Sequence, residues 1–129
     1  MSGSIKHETI DELRELQGDT DPEFLARLLE LFLGGLPQKM KRMEAAVQTS
    51  KADELRAEVH ALKSSAANVG AIQMSFLCSE LEKYAKTGDL SPNLAATKEL
   101  FSKLKTEATL VTQELESLPE MRTFKRKAA

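Results

Sequence analysis

The sequence predicts an all-α protein, an antiparallel up-down four-helix bundle with a short N-terminal lid helix. Three observations carry this. Tryptophan is absent, tyrosine occurs once, and Ala, Leu, Glu and Lys dominate, a mixture that favours helix over strand. Apolar residues recur at spacings of three and four through one short and four longer segments. Glycines and prolines fall between those segments rather than within most of them. The 129 residues suit one domain, 1–129, with the bundle over about 8–118 and a basic C-terminal tail over 119–129.

The short segment, 8–17, carries Ile10, Leu13 and Leu16 and stops at Gly18, which predicts a lid over the bundle. Asp21-Pro22 opens the next, since Asp can accept from free backbone amides and Pro at the first helical position loses no needed donor. Its core line is Phe24, Leu28, Leu31, Leu36, Met40, Met43 and Val47, and GGLP at 34–37 predicts a single helix kinked at Pro37, with two shorter helices as the alternative. The third helix, 51–69, sets Leu55, Val59, Leu62, Ala66 and Val69 on one stripe and ends near Gly70. The fourth, 71–87, uses Met74, Leu77, Leu81 and Tyr84 and stops at Gly88. Ser91-Pro92 repeats the cap-plus-proline pattern before a fifth stripe of Leu94, Phe101, Leu104, Ala108, Val111, Leu115 and Leu118, with Thr97 its one polar member. RTFKRKAA at 122–129 reads as a frayed, solvated end.

Four amphipathic stripes joined by short loops can bury one another, which predicts a monomer. A formal charge of -2 gives no general attraction for nucleic acid or an anionic membrane. The lone Cys78 has no disulfide partner and no second Cys/His group spaced to close a metal site, so a reducing cytoplasmic setting is expected. The N-terminal MSGSIKHETIDE lacks the apolar core of a secretion signal, and no apolar run approaches the roughly 20 residues needed to span a bilayer.

EVHALKSSAANVGA, 58–71, sets a histidine among small side chains. At about 100° per residue His60 lies roughly 140° from the third helix's apolar stripe, on its outer face. Ala57 and Ser64 lie nearly opposite the core, Ala67 about 120° from it, and Arg56 and Lys63 on the flanks, roughly 80–100° away. A metal site would want another ligand one turn from His60, and those positions hold Arg56, Ala57, Lys63 and Ser64. A general base would want an orienting carboxylate, and the local candidates, Asp53 and Glu58, sit two turns back or toward the core side. A phosphoryl acceptor needs an exposed, neutral ring reachable by a bulky donor. Arg56 and Lys63 disfavour the imidazolium by like-charge repulsion and can pair with phosphate oxygens once they arrive.

His60-Ala61-Leu62-Lys63-Ser64-Ser65, with Gly70 about ten residues after the histidine, resembles the signature of the histidine-containing phosphotransfer (HPt) domain, commonly His-x-x-Lys-Gly-[Ser/Ala]. DPEFLARLLELFL and the proline in its helix extend the likeness to about 8–118. The resemblance implies a four-helix bundle with a reversible phosphohistidine at His60 and Lys63, flanked by Arg56, contacting the phosphoryl group. Ala57, Ser64 and Ala67 would form the docking face. The implied partners are response-regulator receiver domains and a hybrid histidine kinase; no cofactor belongs to this chain, Mg²⁺ being expected on the receiver. Ser64 departs from the pattern, adding bulk where glycine is usual.

His7, in acidic KHETIDE, reads as solvated, Cys78 as core or core edge, and Met40, Met43 and Met74 as packing. Two other functions compete with a phosphorelay carrier that has no ATP chemistry of its own. One is a helical adaptor that has lost transfer. The other is the dimerisation segment of a histidine kinase, against which stand Ala61 after the histidine and no proline until Pro92. The native-looking start and the basic tail favour a free-standing protein.

Overall fold

The computed structural model describes residues 3–128. It contains α1 (His7–Gln17), α2 (Phe24–Gln48), α3 (Ala52–Asn68), α4 (Ile72–Ala85), a 3-10 turn (Ser91–Asn93), α5 (Leu94–Glu116) and α6 (Pro119–Ala128). Helices α2 to α5 form the antiparallel bundle, with α3 packed most extensively on α4 and α2 closing the ring against α3 and α5. One continuous core runs from Ile5 to Met121. Among the described residues no helix is long and apolar enough to cross a membrane.

The stripes of α3, α4 and α5 lie where their spacing puts them. Leu55, Val59, Leu62 and Ala66 are buried on α3, Met74, Leu77 and Leu81 on α4, and Phe101, Leu104, Ala108, Val111 and Leu115 on α5. Buried Thr97 is satisfied by donating its hydroxyl to the Asn93 carbonyl at 2.9 Å. In α2 the buried line is Leu25, Leu29, Phe32, Leu33, Leu36, Met43, Ala46 and Val47, so the expected line is rotated. Phe24, Leu28 and Met40 are only partly covered, and Leu31 is 78% exposed. Apolar residues occupy more than half of this helix's circumference, and its neighbours, not its period, select the inward set. Helix α2 stays a single helix through Pro37.

Leu16, expected beneath the lid, is 77% exposed while Ile10 is fully buried. Six residues turn a helix by about 240° from the position of Ile10, too far to share one narrow face. The two expected caps also differ. Asp21 pairs with Arg27, and the amide of Leu25 is met instead by Gln17 Oε1 at 2.9 Å. Pro22 precedes the helix in a turn, where the Phe24 amide donates to the Asp21 carbonyl. Ser91-Pro92 forms the 3-10 turn rather than the first turn of α5, and Asp89 Oδ1 accepts the Ser91 amide at 3.0 Å.

The segment expected to be a frayed tail is α6. Pro119 suits a first helical position, Met121 and Leu118 are buried, and Phe124 packs against the core from the same helix. Arg14 of α1 grips Glu120 with both arms, Nε to Oε2 at 2.5 Å and Nη2 to Oε1 at 3.0 Å, which holds the Glu120 carboxyl below its usual range. Ala129 lies outside the described residues.

At the other end of α1, Gly70 has φ +82°, and a Cβ there would stand 2.9 Å from the Lys6 carbonyl oxygen. Its own carbonyl accepts the Lys6 amide at 2.8 Å. A side chain at this position would both strain the backbone and push the start of the lid off the turn that follows α3.

Candidate phosphotransfer site

With Val59 and Leu62 buried, α3 must turn its opposite side to solvent. His60 stands there with its side chain 66% exposed. Ala57, Ser64 and Ala67 are exposed on the same outer face, as expected, and Arg56 is exposed on its flank. The ring is nevertheless anchored. Its Nδ1 lies 2.7 Å from Oε2 of Glu82 on α4, and the other oxygen of Glu82 accepts from Lys63 Nζ at 2.6 Å.

Glu82 sits just beneath the surface with only 5% of its side chain accessible, roofed by His60 and Lys63. The Lys63 ammonium is the main cause that brings its carboxyl down to about 2, with desolvation opposing and the His60 bond adding to the shift. An ionised carboxylate has no proton to give, so Nδ1 must donate. In the neutral ring the lone pair then resides on Nε2, which has no partner among the described residues. Oε2 would also offset positive charge appearing on the ring if Nε2 formed a bond.

Two further contacts fix this seam. Ser75 Oγ donates to the Lys63 carbonyl at 2.9 Å, tying α4 to the backbone of α3. Glu58 pairs with Arg42 of α2 at 2.8 Å and so faces away from His60. Neither Glu58 nor Asp53 orients the ring; the orienting carboxylate is Glu82, which lies on the next helix and outside the local stretch around His60. A signal was present. Helices α3 and α4 form a hairpin about Gly70 and Ala71, and positions equidistant from the turn face one another; His60 and Glu82 each stand eleven residues from Ala71. Lys63, expected on an open flank, is half-covered and already engaged.

His7 is not simply solvated, because its Nε2 lies 2.8 Å from Glu114 Oε2 on α5. Cys78 is fully buried and desolvation pushes its thiol up to about 12. Met43 and Met74 are buried packing residues, with Met40 partly so.

The helical bundle thus presents His60 outward, anchored by a carboxylate, on a face of small side chains. The Hpt domain family matches residues 27–120, and the chain belongs to that family. Among curated relatives, histidine-containing phosphotransfer protein 2 of Arabidopsis thaliana is 34% identical over 70 residues, covering 52% of this chain and 45% of the relative, so the match spans under half of that protein's length. Pseudo histidine-containing phosphotransfer protein 2 of Oryza sativa subsp. japonica is 29% identical over 85% of this chain and 72% of its own. Two solved structures share the fold. Histidine-containing phosphotransfer protein B from Pseudomonas aeruginosa has a TM-score of 0.72 at 22% identity, covering 98% of this chain and 96% of its own. A putative histidine-containing phosphotransfer protein from rice reaches 0.78 at 19% identity, covering 98% and 86%.

Proposed function

We propose that this protein is a phosphorelay intermediate of two-component signalling that receives a phosphoryl group on Nε2 of His60 from an aspartyl phosphate of one receiver domain and returns it to an aspartate of another. The observation that carries the reading is the bond from Nδ1 to ionised Glu82, which leaves the nucleophilic nitrogen facing solvent. The Nε2 lone pair attacks phosphorus, the bond to the aspartyl oxygen breaks, and the aspartate leaves with the electron pair. Positive charge then on the ring is met by Glu82 through Nδ1–H. The reverse sequence discharges the carrier.

Ala57, Ser64 and Ala67 give the flat surface on which a receiver settles, and Ser64 is small enough to keep the approach close. Arg56 and Lys63 supply positive charge for the phosphoryl oxygens, Lys63 from an ammonium already paired with Glu82. The receiver brings the Mg²⁺, and a hybrid histidine kinase supplies phosphoryl groups to the relay. This chain contributes no ATP chemistry and acts as a cytoplasmic monomer.

The test is a screen of phosphorylated receiver domains for transfer to the parent and to His60→Gln. Transfer of acid-labile phosphate to the parent alone is expected. Equal labelling of the variant would overturn the assignment of His60, and binding of receivers without any labelling of the parent would favour the adaptor reading.

A further inference from the structure

We infer that Ser75 on α4 is a positioning residue for phosphotransfer, fixing the axial register of α4 against α3 so that Glu82 meets Nδ1 of His60. The inference rests on His60 being the phosphoacceptor. Among the described residues three hydrogen bonds join the two helices. Two of them converge on Glu82, from His60 Nδ1 at 2.7 Å and from Lys63 Nζ at 2.6 Å. The third is independent of Glu82: Ser75 Oγ donates to the Lys63 carbonyl at 2.9 Å. The buried stripes of α3 and α4 add apolar contact, which is non-directional, so a small axial slide costs it less than it costs a hydrogen bond.

Ser75 and Glu82 stand two turns apart on nearly one line of α4, the line that faces α3. Lys63 spans that interval, its carbonyl held at Ser75 and its ammonium at Glu82. The two ends respond differently to a slide of α4 along α3. The carbonyl is main chain and cannot follow, so the Ser75 bond breaks, whereas the ammonium on its flexible stem can travel with the carboxylate. The Lys63–Glu82 pair therefore holds the carboxylate without fixing where along α3 it stands, and Ser75 supplies that coordinate. His60 depends on it. Its side chain is 66% exposed and Glu82 is its one hydrogen-bond partner among the described residues, so no other polar contact corrects a displaced carboxylate. A displaced Oε2 leaves Nδ1–H unpaired and frees the ring to adopt the tautomer whose lone pair is on Nδ1.

Two measurements test this, nitrogen NMR of His60 in the free protein with its ring neutral and transfer from a phosphorylated receiver domain. Ser75→Val removes the hydroxyl, and Ser75→Thr keeps it in nearly the same shape. The valine variant should shift the ratio of the Nδ1–H to the Nε2–H tautomer about two- to five-fold toward the latter, the scale of one neutral hydrogen bond. Transfer at saturating receiver should slow by a similar factor with half-saturation unchanged. Ser75→Thr should restore both. Arg14→Ala, which loosens the contact of α1 with α6, should move neither, whereas a merely structural role for Ser75 would make the valine and Arg14 variants alike. Parent-like tautomers and rates in Ser75→Val, or equal losses in Ser75→Thr, would refute the inference, and Ser75→Ala decides in the same way should the valine variant fail to fold. If the tautomer shifts as expected but no receiver labels His60, it is the acceptor assignment that falls.

Discussion

Glu82→Gln removes one charge from the centre of the site while keeping its shape. The shift of this carboxyl from 4.5 to about 2 sets a ceiling of ~3 kcal/mol on what ionisation contributes to folding. The roof over it is thin and His60 is largely exposed, so screening reduces the expected contribution to ~1 kcal/mol. Because the folded carboxyl is depressed, the unfolded chain takes up the proton first. The contribution is complete above about pH 4.5 and is lost as pH falls toward 2. Denaturant unfolding at a series of pH values should therefore show the parent ahead by ~1 kcal/mol near pH 6, or about 3–5 °C in melting temperature, with the gap closing in acid. Transfer should slow about five-fold, the equivalent of ~1 kcal/mol at the barrier, because the ring's developing charge loses its anion. Nitrogen NMR should find one neutral His60 tautomer in the parent and two in the variant, since an amide can donate to Nδ1 or accept from it. Stability curves that stay parallel from pH 6 to 2, together with equal transfer rates, would refute the reasoning.

Ser64→Gln should leave the melting curve within about 0.5 kcal/mol of the parent yet impair transfer, because a long side chain one turn from His60 holds a docking partner off the ring. Unimpaired transfer from the same receiver would place the docking face elsewhere. Arg14→Ala should cost ~1 kcal/mol and speed amide exchange in α6 more than in α3, since it deletes the clasp to Glu120; unchanged exchange there would show that the apolar contacts of Met121 and Phe124 suffice to hold the helix. Sedimentation at low micromolar concentration should give a monomer, and a dimer joined through the α5 stripe would contradict internal burial of that face.

How far the sequence could be read varied with how many alternatives each stripe left open. In α5 the line that its period predicts, Phe101, Leu104, Ala108, Val111 and Leu115, is buried throughout, while Leu110, off that line, is exposed. Helix α2 has apolar residues nearly all round, and Leu31 ended outside because α3, α5 and α6 chose the other set. Asp21 and Ser91 have the chemistry of caps, but Asp21 pairs with Arg27 while Gln17 meets the Leu25 amide, and Ser91 has its own amide met by Asp89. At the site, the face bearing His60, Ser64 and the small residues followed from the period of one helix. Glu82 did not, because its proximity to His60 depends on the pairing of two helices across the turn at Gly70. Helix α6 was hidden by composition: a run rich in Arg and Lys disguises Met121 and Phe124, which dock it.

Cys78 turns the bundle into its own clock. Its sulfur lies in the core one turn before Glu82, with no accessible surface and a thiol held near about 12. An alkylating reagent at neutral pH finds neither access nor thiolate until α4 separates from its neighbours. With a single sulfur in the chain capable of reacting this way, the pace of modification counts openings of the helix that carries Glu82. The same measurement on phosphorylated protein would report whether loading the histidine tightens or loosens the seam on which it stands.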